Sequence, residues 1–335
     1  MRKDPALLFR IQYRLVLITC LLAFCVVLLG AYVRLSDAGL GCPDWPGCYG
    51  QLIVPNESAE AVAKEQAFEP SKAWKEMIHR YMAGTLGLLI IILSILAWMN
   101  RKNTRQPVIL PGTLLLLVIF QALLGMWTVT LLVKPAIVTA HLLGGFATLS
   151  LLWLLFLRLR PIDHLHTVET TLPLRRYIFF SLFVVLLQIT LGGWTSSNYA
   201  ALGCTDFPTC YAGQWWPPMD FREAFVIWRG LGINYEFGVL EMDARSAIHI
   251  THRVGALITL LTLGALAYWL IHKSSSRPLQ NTGYLLTLSL IVQIGLGITN
   301  VLARLPLNVA VAHNAGAAIL LLIMVTLIWV SRQRE

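Results

Sequence analysis

Apolar and polar positions along the chain alternate in long blocks. Eight mostly apolar stretches cover about 15–34, 77–99, 108–131, 136–158, 176–197, 247–271, 281–303 and 308–330. Each is long enough to cross the hydrocarbon core as a helix, which takes roughly 20 residues. The polar breaks are short except for two, at about 35–76 and 198–246. The first apolar run follows a basic start, as a signal peptide does. It has a counterpart at 176–197 and no clear small-residue cleavage site, so it is expected to remain as a transmembrane helix.

The blocks repeat. Gln121 precedes His141 by twenty residues, and Gln293 precedes His313 by the same distance. His79-Arg80 answers to His252-Arg253, and G-C-P-D-W-P-G-C-Y at 41–49 answers to G-C-T-D-F-P-T-C-Y at 203–211. A duplication of this length predicts an all-α integral membrane protein of eight transmembrane helices, arranged as two tandem, pseudo-symmetric four-helix bundles. The halves are placed at 1–160 and 176–335, with a linker at 161–175. Composition agrees: 57% hydrophobic and only 13% charged residues exclude an ordinary soluble domain.

Charge then orients the bundle. Arg2, Lys3, Arg10, Arg14, Arg101, Lys102, Arg105, Arg158, Arg160, Arg175, Arg176, Lys273, Arg277, Arg332 and Arg334 all fall on one side of the predicted plan. By the positive-inside rule that side is cytoplasmic, with both termini, in a cytoplasmic membrane. The two long cysteine-containing loops and the tight hairpins near Lys134 and Arg304 face outward. The net charge of +9 is therefore an orientation signal, and no nucleic-acid partner is expected.

Candidate chemistry lies in four histidines. His79, His141, His252 and His313 each open a helix descending from the outer side, so they form one layer in the outer leaflet. A charged side chain at a transmembrane helix centre costs about 2.5–3.5 kcal/mol, and intramembrane ionisable residues are functional by default. Neutral imidazoles in matched pairs, inside an apolar bundle, suit the axial ligation of haem. Small residues follow each histidine: Ala83 and Gly84, Gly144 and Gly145, Gly255 and Ala256, Gly316 and Ala317. They would give a porphyrin clearance, or else let helices pack closely. Arg80 and Arg253 are candidates to meet haem propionates. Gln121, Gln188 and Gln293 are read as interhelical hydrogen-bonding residues.

The halves diverge one turn before the first histidine of each, where Glu76 stands in E-M-I-H-R and His249 in H-I-T-H-R. A carboxylate at a haem edge would move protons or stabilise positive charge. A Glu near a helix N-terminus is also favoured by the dipole alone. His164, His166 and His272 fall on the cytoplasmic side and read as solvated. Cys20 and Cys25 read as packing residues within the first span. Cys42 with Cys48, and Cys204 with Cys210, lie in loops exposed to an oxidising compartment, where two intraloop disulfides are expected, structural in preference to redox-active. No C-x-x-C-H is present, so covalent haem attachment is not indicated.

The run L-G-A-Y-V-R-L-S-D-A-G-L-G-C-P-D-W-P-x-C at 29–48, E-x-x-H-R at 76–80, the Q-x-x-L-G…H pairs and the duplicated plan resemble the haem A synthase family, of the bacterial type with paired loop cysteines. The resemblance spans about 15–330. It implies oxidation of the C8 methyl group of haem O to the formyl group of haem A, for use by terminal oxidases. It implies that His252 and His313 hold a resident haem b, and that His79 and His141 hold haem O with the catalytic Glu76 beside it. An electron acceptor that the sequence does not identify, haem O synthase, oxidase assembly factors, membrane lipid and a second copy of the chain are the partners in prospect.

Two other classes fit parts of the pattern. A di-haem b electron carrier or quinone oxidoreductase would also layer four histidines, though such carriers commonly use both leaflets. A secondary transporter would explain the duplication, but calls for helix breaks and polar groups at midmembrane.

Overall fold

The computed structural model describes residues 5–55, 68–103, 106–160 and 170–331. Arg2, Lys3, Arg105, His164, His166, Arg332 and Arg334, and most of the linker, lie outside the described residues. Eight long helices run in chain order: α1 (Pro5–Leu35), α2 (Pro70–Met99), α3 (Ile109–Thr130), α4 (Pro135–Arg158), α5 (Leu172–Ser197), α7 (Met242–His272), α8 (Arg277–Leu302) and α9 (Leu307–Val330). A four-residue helix, α6 (Phe221–Ala224), interrupts the second long loop and has no forerunner in the hydrophobic pattern. Asp220 caps it, its carboxylate accepting from the N–H groups of Arg222 (2.9 Å) and Glu223 (3.0 Å).

All eight long helices are apolar enough to cross a bilayer, as in a multi-pass membrane protein. Several begin beyond the apolar runs. α2 extends upstream to Pro70 and α7 to Met242, because polar first turns outside the hydrocarbon continue the helix without cost to its backbone bonds. His79 and His252 consequently lie well inside their helices. Proline begins α2 and α4 and sits in the first turn of α5 and α8, where its missing N–H costs nothing.

The helices close into two four-membered rings. In one, α1 packs on α2, α2 on α3, α3 on α4 and α4 on α1; in the other, α5, α7, α8 and α9 repeat the same circuit. The rings join through α1, α4, α5 and α9. One apolar core passes through both, including Val16, Leu86, Leu149, Ile178, Leu266, Leu286 and Met324. Both hairpin turns adopt the same form. Leu132 and Val133 between α3 and α4, and Arg304 and Leu305 between α8 and α9, take left-handed backbone angles of φ 51° to 61°.

Polar contacts stitch the rings together at the end that holds the two cysteine loops. Arg34 donates to the Ser196 carbonyl (2.7 Å) and lies over the Tyr199 ring (4.1 Å to its centroid), while the Tyr199 hydroxyl donates to Asp37 (2.9 Å). The second long loop also crosses onto the first ring. Tyr235 N–H donates to the Leu132 carbonyl (3.1 Å), and the buried Lys134 ammonium donates to the Gly230 carbonyl beneath the Trp228 ring. At the opposite end Trp153 of α4 donates to Thr326 of α9 (2.8 Å). Cys20, buried, and Cys25, exposed, are unbonded to other cysteines on α1.

Close packing across the ring boundary depends on Gly193 of α5. A Cβ there would lie 2.8 Å from Leu142 Cδ2 and 3.2 Å from Thr139 Cγ2. Gly193→Val is expected to destabilise the protein by about 1–3 kcal/mol through overpacking. The measurement is the thermal midpoint in detergent. Gly264→Ala, at a position where a Cβ meets nothing within 4 Å, should not lower it.

Candidate haem sites

Each of the four histidines lies with its ring against a glycine of the neighbouring helix. A Cβ on Gly30 of α1 would meet the ring of His79 at 3.0 Å, and one on Gly125 of α3 the ring of His141 at 3.4 Å. In the second ring Gly192 of α5 faces His252 (3.3 Å) and Gly297 of α8 faces His313 (3.1 Å). These four glycines position the imidazoles by allowing close approach. Three of them follow a glutamine by four residues, in Q-A-L-L-G, Q-I-T-L-G and Q-I-G-L-G, and that spacing was their signal in the sequence.

Three glycines on the histidine helices receive a side chain from the adjacent helix. A Cβ on Gly144, Gly255 or Gly316 would overlap the side-chain amide of Gln121, Gln188 or Gln293 respectively. Of the two readings of these small residues, close helix packing describes this contact, in which a glutamine lies against the glycine. Gln188 Nε2 lies 3.1 Å from His252 Nδ1 and 3.1 Å from the His252 carbonyl; Gln293 Nε2 lies 3.4 Å from His313 Nε2. Gly84 meets nothing within 4 Å.

Within each half the two imidazoles are electrostatic neighbours, His79 with His141 and His252 with His313. Nδ1 of His79, His141 and His313 is buried without a hydrogen-bond partner. Orphaned polar atoms of this kind cost about 1–3 kcal/mol each. Among the described residues, no group of three or more His, Cys, Asp or Glu comes together as a bare metal ion would need. Two imidazoles per site fit haem, whose porphyrin supplies the other ligands.

Above each histidine pair, a disulfide loop is locked onto its helix. Cys42 is bonded to Cys48 and Cys204 to Cys210, with Cα–Cα distances of 4.8 and 4.3 Å. Gly41 and Gly203 let each loop lie directly on a helix backbone: a Cβ would stand 2.6 Å from the Lys72 carbonyl carbon and 2.5 Å from the Arg245 oxygen. Asp44 holds its own turn, accepting from Tyr49 N–H (2.6 Å) and Gly50 N–H (2.7 Å). Burial, with the carboxylates of Asp44 and Glu76, raises the Tyr49 pKa above its ordinary value and keeps the phenol neutral.

Glu76 and His249 perform one shared task in these locks. Glu76 Oε2 accepts from Cys42 N–H (2.9 Å), and His249 Nδ1 accepts from Cys204 N–H (3.0 Å). Both are 4% exposed. They differ in charge. The other Glu76 oxygen is paired with Arg80, whereas Arg253 pairs with no carboxylate among the described residues. Arg80 also donates to the carbonyls of Asp44 (2.8 Å), Pro46 (3.3 Å) and Gly47. Arg253 donates to those of Thr209 (2.8 Å), Asp206 (2.7 Å) and Cys204 (3.2 Å). Both guanidinium groups therefore clamp the cysteine loops. His272 ends α7, its ring tilted against that of Tyr268 with centroids 4.8 Å apart.

A family model described as COX15-CtaA, cytochrome oxidase assembly protein, matches residues 13–325. The chain belongs to the COX15-CtaA family. It is 49% identical over 315 residues to a haem A synthase of Shewanella oneidensis, covering 92% of this chain and 93% of the relative. It is 28% identical over 309 residues to a haem A synthase of Alkalihalophilus pseudofirmus, covering 90% and 91%. In this family member the match takes in all four histidines, both cysteine loops and Glu76.

Mass mapping of the unreduced protein should find Cys42 joined to Cys48 and Cys204 to Cys210, with no loop-to-loop bridge. Closing so short a loop contributes about 2 kcal/mol by the chain-entropy estimate. Replacing Cys204 and Cys210 together by Ser should lower the thermal midpoint yet leave a folded protein, because Arg253 and His249 still hold the loop.

Proposed function

We propose that this protein is a haem A synthase, oxidising the C8 methyl group of haem O to a formyl group. The observation that supports this best is a chemical difference between the two matched loop locks: a buried carboxylate, Glu76, where the other half has His249. Two imidazole pairs, each with its own disulfide loop and glycine floors, would provide two haem positions, and a carboxylate beside only one of them would separate a reacting site from a supporting one. His79 and His141 would ligate haem O. His252 and His313 would hold a resident haem b, which when bound supplies one-electron transfer.

Going from methyl to aldehyde removes two electron pairs in succession, each removal releasing two protons as water supplies a hydroxyl oxygen to the carbon, first giving the alcohol and then a hydrated aldehyde that loses water. The electrons leave to an acceptor this chain does not contain. Glu76 is suited to positive charge developing at the methyl carbon or to receiving its proton, and Arg80 and Cys42 N–H hold its carboxylate in place. The disulfide loops cover the sites from bulk water, and the farnesyl tail of haem O partitions into lipid. The unpartnered Nε of Arg253 is the donor there that remains for a propionate. The charge distribution favours cysteine loops on the outer side of the cytoplasmic membrane, with both termini inside.

The test is haem extraction from a host that supplies haem O, with and without this gene. New formyl-bearing haem supports the synthase; haem b alone, with no haem A formed, would favour a di-haem electron carrier. Glu76→Gln separates the carboxylate's two tasks, since the amide oxygen still accepts from Cys42 N–H. It should keep the loop and the haem b spectrum while haem A yield falls at least 100-fold, the scale of a lost acid–base group, about 10²–10⁴. Wild-type yield would reduce Glu76 to a loop clamp.

A further inference from the structure

Three of the four histidines share a complete cradle and one does not. On the supporting helix a glutamine precedes the glycine floor by four residues: Gln121 and Gly125, Gln188 and Gly192, Gln293 and Gly297. On the histidine helix a glycine follows three residues later, as Gly144, Gly255 or Gly316, and the glutamine amide lies against it. The repeat aligns Gly30 with Gly192 and His79 with His252, which puts Val26 in the place of Gln188 and Met82 in that of Gly255. Both substitutions act together. Val26, buried, has no hydrogen-bonding group, and the Met82 side chain, packed against the core, takes the place of the glycine that receives the amide. His79 keeps its glycine floor, and its Nδ1 is buried with no partner, as are those of His141 and His313; what sets it apart is that Val26 offers no amide, whereas a glutamine bonds the ring at His252 and His313 and Gln121 stands in the same place beside His141.

We infer that Gln121, Gln188 and Gln293 are positioning residues for three firmly held axial ligands, and that Val26 with Met82 makes His79 the exchangeable one. A ligating imidazole needs its second nitrogen held, which fixes the ring and raises its basicity; losing that support typically weakens metal binding 10–100-fold. A glutamine amide serves in either protonation state, giving N–H to a bare ring nitrogen or oxygen to a ring N–H. The resident haem b site would thus have two supported ligands. The substrate site would have one, His141, and release at His79 would let haem O enter and haem A leave. This rests on the proposed assignment of haem O to the first half.

The test completes the fourth cradle with Val26→Gln/Met82→Gly and dismantles the second with Gln188→Val. Purified protein loaded with haem O in detergent is mixed with excess apomyoglobin, and haem transfer from each half is followed by absorbance. In the double variant, release from the first half should slow 10–100-fold with haem b unchanged. In Gln188→Val, haem b should transfer at least tenfold faster than in wild type. Wild-type release rates from both variants would overturn the inference. So would wild-type haem b retention in Gln188→Val should the double variant fail to fold. His79→Ala and His141→Ala address the underlying assignment separately: if both bound haem O as wild type does, the assignment itself would fall, whatever Val26 does.

Discussion

An imidazole inside a bilayer has no water to satisfy its two nitrogens, and every polar group left unpaired there weakens the fold. The loop end of this molecule is organised by that constraint, applied four times. Glycine floors bring each ring against a neighbouring backbone, and glutamines bond two of them, His252 and His313. Three of the imidazoles still keep a buried nitrogen without a partner, and a group that took up those nitrogens would relieve the cost. Ligand binding and folding are in this sense linked at the histidine layer.

The loops answer the same constraint for backbone groups. Burying a cysteine loop against a helix strands its N–H and carbonyl groups, and one helix face supplies their partners. Glu76 or His249 accepts the first N–H, and Arg80 or Arg253 fans out to three carbonyls. Because an imidazole performs the accepting task as well as a carboxylate does, the loop lock does not require charge. The carboxylate at Glu76 is therefore more than the loop lock calls for, and the duplicated half acts as an internal comparison in which the structural requirement is met without it.

Much of this was legible in the sequence because spacing survives duplication. The eight spans, both cysteine pairs and the four histidines stood out as matched blocks, and the hairpin pairs Gln121–His141 and Gln293–His313 kept one spacing since a tight turn joins their helices. The third pair, Gln188 and His252, is 64 residues apart across a long loop, so the same contact left no visible period. The shared task of Glu76 and His249 was hidden for another reason: the residues differ in type while their geometry agrees. α6 and the crossing of the second loop onto the first ring had no apolar periodicity to announce them.

That crossing gives assembly a direction. Lys134, 2% exposed at the turn between α3 and α4, has its ammonium covered by Trp228 and the Gly230 carbonyl, which the chain contributes only after α5. A first half emerging during synthesis carries a cation at that turn whose cover has not yet been made. The first half is sealed by its successor, so a molecule that began as two copies of one unit has become sequential, its later copy finishing the earlier one.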